Sequence, residues 1–375
     1  MYGFMNDETL FTQESDILRT WHQAGMPKWE QKDLNAIQKI NVHMPGGILD
    51  RIKLFELMRI EHGINMRWTW FPEQDWNDWT DSDSPPTVVE PNKYPIYVIS
   101  KGRWESRLTV KQLEHLGIPH KMVIEPQEYD RYAAVSNPKN ILQLPFSNLG
   151  EGSIPARNWV LDRAKKEGHA KHWILDDNIQ GFYEMNHNRK PMIKDFNPFR
   201  VMEFFVDQFS NVGLAGPNYE FMTQRRSPMN PYKLNTRVYS CILLDHSLPF
   251  RWRGKYNEDT DLSLRVLKSG LCTILFNFIQ AKKVPTMSMK GGNTDDLYLM
   301  NEEFDRRLEM AKSLKMQHPE LVKITRKWDR WQHHVDYSPF QLRRMIRREK
   351  LKGKGENAPK LVLRMTPDNS KKKKK

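Results

Sequence analysis

Short apolar runs that end in polar residues recur through the middle of the chain. They lie at 96–99, 121–124 and 173–175, and segments such as 108–116 and 154–166 between them carry apolar residues at helical spacing. Strands that alternate with helices are typical of a mostly parallel sheet covered on both faces. The pattern therefore predicts an α/β domain in this part of the chain.

The regions on either side of this domain have different patterns. Residues 1–80 are rich in tryptophan and carry an apolar stripe at helical spacing, which predicts a helical N-terminal region. The turn-rich segment 81–94 is expected to be a linker to the main domain at 95–300. Residues 301–350 are predicted to be helical and basic, and the lysine-rich segment 351–375 to be disordered.

Charge is distributed unevenly along the 375 residues. The formal net charge is +13, and the segment 321–375 carries the whole excess, with 18 Lys and Arg against 5 Asp and Glu. Such a block indicates a solvated, partly disordered arm that binds a polyanion. Nucleic acid is favoured over a membrane surface, because no apolar face accompanies the charge. A tail that only improves solubility is the alternative.

Several classes of protein are disfavoured by what the sequence contains. It has no long apolar run, so no membrane span or membrane partner is expected. The N-terminus lacks the basic and then apolar regions of a secretory signal. The two cysteines, Cys241 and Cys272, lie in apolar runs and are expected to be reduced core residues. A cytoplasmic protein is the simplest expectation.

The apolar run at 173–175 ends abruptly in Asp176, Asp177 and Asn178. These polar side chains cannot stay buried without partners, so they are expected at the carboxyl end of a strand. Open α/β sheets bind their ligands at that end. Adjacent carboxylates there can hold a hard divalent cation, which in turn can hold a diphosphate. A plain turn after a strand is the alternative.

Other polar groups near predicted strand and helix ends are candidates for binding a nucleotide. Ser100 and Arg103 follow the first strand, and Glu125 follows the second. Arg157 and Asn158 lie in the first two turns of a helix that a glycine-rich loop opens, where phosphate is favoured. A capped helix with a surface ion pair is the alternative. Neither GxGxxG nor GxxxxGK[ST] occurs, which disfavours dinucleotide-binding and P-loop proteins.

A second acidic cluster consists of Glu258, Asp259 and Asp261 at the predicted start of a helix. Acids at this position complement the helix dipole, which would be a purely structural role. One carboxylate could instead act as a general base for an acceptor hydroxyl. Further along, Lys290 lies in a glycine-rich loop, where it could neutralise a leaving diphosphate or simply form part of a turn.

Together these segments resemble GT-A glycosyltransferases and, more narrowly, the TET-associated glycosyltransferases of tailed phages. The resemblance covers roughly the main domain. The matching stretches are PIYVISKGR (95–103), GEGSIPARNWVLD (150–162), HWILDDNI (172–179), YNEDTDLSLRVLKSG (256–270) and KGGNTDDLY (290–298). The resemblance implies a GT-A-like, Rossmann-related, mostly parallel central sheet flanked by helices, with helical N- and C-terminal additions.

The resemblance also implies a reaction and its participants. A sugar would pass from a UDP-sugar to 5-hydroxymethylpyrimidines in DNA, with 5-hydroxymethylcytosine as the expected base. Mn²⁺ or Mg²⁺ would be bound by Asp176, Asp177 and Asn178, and Asp259 would deprotonate the acceptor with support from Glu258. A phage-encoded enzyme would work in the host cytoplasm. Many GT-A enzymes complete the metal shell with a late histidine, which this sequence lacks.

The basic C-terminal region gives the DNA acceptor separate support. Aromatic residues at 328–337 are interleaved with cations at 323–330, and such a mixture can stack on bases and contact phosphates. A packed amphipathic helix is the alternative. Other functions kept open are transfer to a protein or glycan, a nucleotidyltransferase and a non-catalytic DNA-binding module. The oligomeric state is left open.

Overall fold

The computed structural model describes residues 91–185, 189–225, 230–284, 305–327 and 330–348. The strands of its central sheet are β1 (Ile96–Ile99), β2 (Lys121–Ile124), β3 (Ile141–Gln143), β4 (Lys171–Asp176), β5 (Ile179–Glu184), β6 (Val212–Tyr219), β7 (Tyr232–Leu234), β8 (Cys241–Asp245) and β9 (Cys272–Lys283). The helices that flank the sheet are α1 (Leu108–His115), α2 (Tyr129–Ala133), α3 (Ile154–Lys166), α4 (Pro198–Val206) and α5 (Glu258–Lys268). The predicted N-terminal region 1–80, the tail 351–375 and Lys290 lie outside the described residues.

The central sheet has nine strands. Eight of them follow the order β3-β2-β1-β4-β8-β6-β9-β5, and β7 pairs with β9. Neighbours from β3 to β4 are parallel, whereas β8 runs antiparallel to both β4 and β6. β9 is parallel to β6, and β5 and β7 run against it. Six of the nine strands therefore run in one direction, which confirms the predicted α/β fold with a mostly parallel sheet.

Each face of the sheet buries its own apolar cluster, because side chains alternate along a strand. On one face, Trp173 of β4 packs with Leu113 of α1 and Phe199 of α4. On the other face, Ile174 packs with residues of α3 and α5 such as Val160. The molecule therefore has helix, sheet and helix layers, and the carboxyl ends of β1, β2, β4, β6 and β9 share one edge.

Two strands in the middle of the sheet approach each other very closely. A Cβ atom on Gly216 of β6 would lie 2.1 Å from the carbonyl oxygen of Cys241 in β8. Only glycine fits at such a distance, so this residue permits the antiparallel β6–β8 pairing.

Cys241 and Cys272 are free and buried, as the sequence predicted.

The C-terminal region corrects the prediction of a helical segment at 301–350. It contains one helix, α6 (Arg306–Gln317), followed by an antiparallel hairpin of β10 (Val322–Lys327) and β11 (Arg330–Val335). Leu314 of α6 and Val322 of β10 pack against Leu264 and Leu267 of α5. The predicted helix is thus correct for α6 and wrong for the two strands, whose side chains alternate with period two.

The basic segment after the hairpin is attached to the central domain up to residue 348. Asn211 Nδ2 donates to the Arg344 carbonyl at 2.9 Å, and Arg348 N donates to the Gln208 carbonyl at 3.0 Å. Residues 305–348 therefore extend the folded body rather than forming a detached arm.

Within the described residues, no helix has the length and apolar character that crossing a membrane requires.

Candidate functional site

Asp177 follows the last residue of β4, and its carboxylate turns towards the loop after β1. Oδ2 accepts a hydrogen bond from Ser100 Oγ at 2.7 Å, and Oδ1 forms an ion pair with Arg103 Nη1. Burial raises the pKa of Asp177, while Arg103 and Ser100 oppose the increase. Both oxygens of this carboxylate are therefore engaged inside the protein.

The loop after β1 is fixed by further hydrogen bonds. Tyr132 Oη lies 2.6 Å from Ser100 Oγ and accepts from Arg103 N at 3.1 Å. Gly102 N donates to Glu128 Oε1 at 2.8 Å. Ser100 and Arg103, which were predicted to contact a nucleotide, thus lie in a preorganised loop and also orient Asp177.

Asp176 is the more accessible member of the acidic pair. Its side chain is 23% exposed, against 7% for Asp177. Oδ1 accepts from Arg157 Nη2 at 2.9 Å, and Oδ2 lies 2.8 Å from Lys283 Nζ. Burial alone would raise the pKa of Asp176, but Lys283 and Arg157 outweigh it and lower the pKa to about 2. Asp176 is therefore a carboxylate that carries its charge at the edge of the sheet.

Arg157 connects the two acidic clusters that the sequence predicted separately. It is 3% exposed and lies in the first turns of α3. One side of its guanidinium binds Asp176, and its Nε lies 3.7 Å from Glu258 Oε1. Its Nε also donates to Ser153 Oγ at 3.1 Å, and Ser153 Oγ donates to Glu258 Oε1 at 3.2 Å. The Ser153 hydroxyl thus supports the site rather than capping α3.

Asn158 has a different environment from its neighbour. Its Nδ2 donates to the Trp252 carbonyl at 2.9 Å, and its Oδ1 accepts from Trp252 N at 2.9 Å. The Trp252 ring lies 4.6 Å from the Arg157 guanidinium carbon. The amide of Asn158 therefore fixes the segment that holds Trp252 against Arg157, whereas a direct contact with the nucleotide stays a prediction.

Glu125 lies at the end of β2, beside a small pocket. Its Oε1 accepts from Lys101 Nζ and its Oε2 from Asn148 N, both at 3.2 Å. The pocket is lined by two charged residues and by residues between the end of β3 and the first turn of α3: Lys101, Glu125, Leu144, Phe146, Leu149, Gly150, Gly152, Pro155 and Ala156. It lies between the ends of the first three strands and the start of α3.

Glu258 is the first residue of α5. The preceding residue, Asn257, has a φ of 54°, in the left-handed region that asparagine tolerates better than most residues. Burial raises the pKa of Glu258, Arg157 lowers it, and Asp259 raises it further. A carboxylate with a raised pKa beside another carboxylate is a common arrangement where enzymes move protons.

Asp259 is half-buried and faces a different set of groups. Its Oδ1 accepts from Thr260 N at 2.7 Å. Burial would lower the pKa of Arg237, yet the charge of Asp259 raises it. Burial and Arg237 lower the pKa of His333 to about 4, and Asp259 opposes them. Asp259 therefore lies near the loop before β8 and near strand β11.

Asp261, the third acid of this cluster, has a structural role. It is fully buried, and it pairs with Arg253 at 3.0 Å and Arg265 at 2.7 Å. His318, just after α6, lies with Nε2 2.9 Å from Asp261 Oδ1 and with Nδ1 2.8 Å from Lys268 Nζ. Because an ammonium group can only donate, Nδ1 accepts and Nε2 donates to Asp261. Asp261 thus joins α5 to α6.

Three residues of the site were missed by the sequence analysis. Lys283 ends β9, where its Nζ lies 2.7 Å from Ser240 Oγ as well as binding Asp176. Ser240 has a φ of 61°, unusual for serine, and its carbonyl accepts from Asp176 N at 2.8 Å. Tyr219 ends β6, with its Oη 2.6 Å from Ser240 Oγ. All three come from the half of the sheet beyond β4.

Metal binding at Asp176 stays a prediction, because both oxygens of its carboxylate already contact cations, Arg157 and Lys283. Mg²⁺ is commonly held by one or two carboxylates together with substrate phosphates. Asp176 has an accessible carboxylate, and Asn178 Oδ1 is buried without a hydrogen-bond partner. Among the described residues, no group of three or more His, Cys, Asp and Glu side chains could hold a metal by itself.

The fold and the site at the carboxyl edge of the sheet together define the class of this protein. It is an α/β enzyme in which cations and carboxylates meet where the strands end. The sequence matches the family described as TET-Associated Glycosyltransferase over residues 94–292. The chain therefore belongs to this family of glycosyltransferases, as its motifs suggested. No curated protein matches the sequence significantly.

Proposed function

We propose that the protein transfers a sugar from a UDP-sugar to the hydroxymethyl group of 5-hydroxymethylpyrimidines in DNA, with 5-hydroxymethylcytosine as the expected base. The observation that carries the proposal is the double contact of Arg157. This residue binds Asp176 on the predicted donor side and lies 3.7 Å from Glu258 beside the predicted base. Donor and acceptor groups are thus adjacent.

The donor is assigned to the parallel half of the sheet. Its base would occupy the pocket beside Glu125, near the ends of β1 and β2. Its diphosphate would lie towards Asp176, where Arg157 and Lys283 supply positive charge. A divalent metal held by Asp176 and Asn178 would neutralise the diphosphate further. Preorganised cations at a departing diphosphate stabilise the charge that develops there.

The acceptor step is assigned to Asp259. Its carboxylate takes the proton of the hydroxymethyl group while the oxygen forms a bond to the anomeric carbon. The bond from that carbon to the diphosphate oxygen breaks, and UDP leaves with the bonding electrons. Glu258 is a positioning residue in this scheme, since Ser153 and Arg157 hold it.

A nucleic acid acceptor is supported by the β10–β11 hairpin. Lys323 lies opposite His334 and Lys327 opposite Arg330, so four basic or titratable side chains share one face. All four are exposed. A two-stranded ribbon with a basic face suits the phosphate backbone of DNA, to which cations bind by releasing counterions. The inner face of the same hairpin carries His333, which lies near Asp259.

The test is transfer with purified full-length protein. Duplexes that contain cytosine, 5-hydroxymethylcytosine or 5-hydroxymethyluracil are incubated with a panel of nucleotide sugars and Mn²⁺, then digested and analysed by nucleoside mass spectrometry. We expect a hexose mass increment only on a hydroxymethylated base and with a uridine diphosphate donor. Asp259→Asn serves as the matched control. Sugar on a protein or glycan acceptor, with none on any DNA, would refute the proposal.

A further inference from the structure

An exposed aromatic side chain next to Tyr219 has no assigned role. Phe221 belongs to a short 3-10 helix, Glu220–Met222, that follows β6 directly. Its side chain is 67% exposed, and it is the one aromatic residue among the large, strongly exposed apolar side chains of the described residues. Met222 beside it is 45% exposed. An apolar patch next to a polar site is a typical place for a ligand.

Phe221 is stacked on a residue of the site. Its ring is nearly parallel to that of Tyr219, with 20° between the planes and 5.5 Å between the centroids. The Tyr219 hydroxyl contacts Ser240, which contacts Lys283, which binds Asp176. Three hydrogen bonds therefore connect the stacked pair to the donor carboxylate.

The second ring of this stack, Tyr219, contacts a further aromatic residue, Tyr239. Tyr219 lies 4.2 Å from Tyr239, centroid to centroid, and the Arg237 guanidinium carbon lies 4.7 Å from the Tyr239 ring. The charge of Asp259 in turn raises the pKa of Arg237. The aromatic residues thus extend from the surface at Phe221 to the surroundings of Asp259.

The backbone beneath Phe221 is held in place. Lys190 Nζ binds Glu220 Oε1 at 3.1 Å, and this lysine side chain is only 7% exposed. Thr223 Oγ1 donates to the Tyr219 carbonyl at 3.0 Å, which closes the turn around the ring. A rigid, exposed ring loses little conformational freedom when a flat ligand stacks on it.

We infer that Phe221, backed by Tyr219, is the stacking surface for the acceptor base. The ligand class is a nucleobase turned out of the helix, whose hydroxymethyl group then reaches the space between Asp176 and Asp259. Stacking of a base on an aromatic ring is strong and independent of sequence. This inference rests on the proposed function and adds the residue that recognises the base.

The experiment separates base recognition from transfer. Fluorescence anisotropy measures binding to a single-stranded oligonucleotide with one 5-hydroxymethylcytosine flanked by abasic residues, and to the same strand with that base removed. Wild-type protein should prefer the strand that carries the base, by roughly 10- to 100-fold. Phe221→Ala should lose this preference, and Phe221→Trp should retain it.

Ile346→Ala is the matched control, because Ile346 is also a large exposed apolar residue, 56% exposed. Its backbone bonds to Ser210 and Asn211 at the opposite edge of the sheet. A preference that survives in Phe221→Ala, or that is absent from the wild type, would overturn the inference. UDP binding, followed by calorimetry, should be unchanged in Phe221→Ala, and a parallel loss would equally overturn it. Wild-type protein that shows the preference but transfers no sugar would refute the proposed function alone.

Discussion

The two halves of the central sheet contribute to the site in different ways. In the half from β3 to β4, all neighbours are parallel, and polar residues just after each strand form contacts with one another, as Ser100 does with Asp177. In the half from β8 to β5, antiparallel pairs alternate with one parallel pair. That half supplies Lys283 and Tyr219 from the ends of long strands.

In the proposed function, this difference would separate binding of the donor from binding of the acceptor. The parallel half forms a preorganised loop and a pocket near Glu125, which suits the constant part of a donor. The mixed half and the helix α5 carry exposed and aromatic groups, which suit a variable acceptor. Asp176 lies at the border, since β4 pairs with β1 on one side and with β8 on the other.

The largest effect is expected at the acceptor side, from Asp259→Asn. Loss of a general base should lower kcat by roughly 10²- to 10⁴-fold while UDP binding stays the same. The asparagine Oδ1 can still accept from Thr260 N, so the start of α5 is preserved. Single-turnover transfer and calorimetric UDP titration measure the two quantities.

Glu258→Gln is the companion variant for this experiment. We expect a smaller loss of kcat, because Gln can still accept from Ser153 Oγ. If Glu258→Gln is the more damaging change and Asp259→Asn is nearly neutral, the role of base moves to Glu258, whose pKa burial already raises.

The parallel half should respond to Asp177→Ala with a loss of stability. This change removes the carboxylate that pairs with Arg103, whose side chain is only 10% exposed. Removing one partner of a buried ion pair costs about 3–5 kcal/mol of unfolding free energy. Urea denaturation followed by tryptophan fluorescence measures the loss.

This expected loss of stability differs from the metal-binding role that the resemblance implies for Asp177. Asp176→Ala is the comparison, because Asp176 is more exposed and its partner Lys283 keeps a bond to Ser240. Equal stability of the Asp177 variant and the wild type would show that the buried pair with Arg103 is not important for the fold.

Lys283→Met tests the connection between the two halves. Removing the ammonium group next to Asp176 should lower kcat/KM by roughly 10²-fold, as for loss of one preorganised charge at a developing anion. It should also lower the Mn²⁺ concentration that gives half-maximal activity, because Asp176 then has one cation fewer. Lys282→Met is the matched control, since Lys282 precedes it on β9 and is exposed. Identical kinetics of the two variants would remove Lys283 from the site.

The sequence predicted the parallel half of the site better than the mixed half, for a physical reason. Polar residues that follow consecutive parallel strands meet at one edge, so Asp176 and Arg157 could be placed together from the order of elements alone. Lys283 is 107 residues from Asp176, and its position depends on β9 lying beyond β8 and β6. Apolar patterns do not specify which strands pair.

Two other differences between the sequence prediction and the structure also have local causes. The direction in which Asp177 turns depends on Ser100 and Arg103, and no motif specifies that contact. The hairpin was predicted as helix because its cations obscured the alternation of Val322 and Ile324 with polar neighbours. On the apolar side of that alternation, Val322 is buried against Leu264 and Leu267 of α5.

The smallest expected effect concerns the hairpin as a DNA-binding surface. Lys323→Gln together with Arg330→Gln should weaken binding to any duplex, with or without hydroxymethylated bases. Each phosphate contact contributes roughly 0.9 to the slope of log affinity against log salt, so the slope should fall by about 2. Lys165→Gln with Lys166→Gln is the charge-matched control, at the far end of α3. If both double variants shift the slope equally, DNA is attracted by net charge rather than by the hairpin. The surface that binds the acceptor is then confined to the edge of the central sheet.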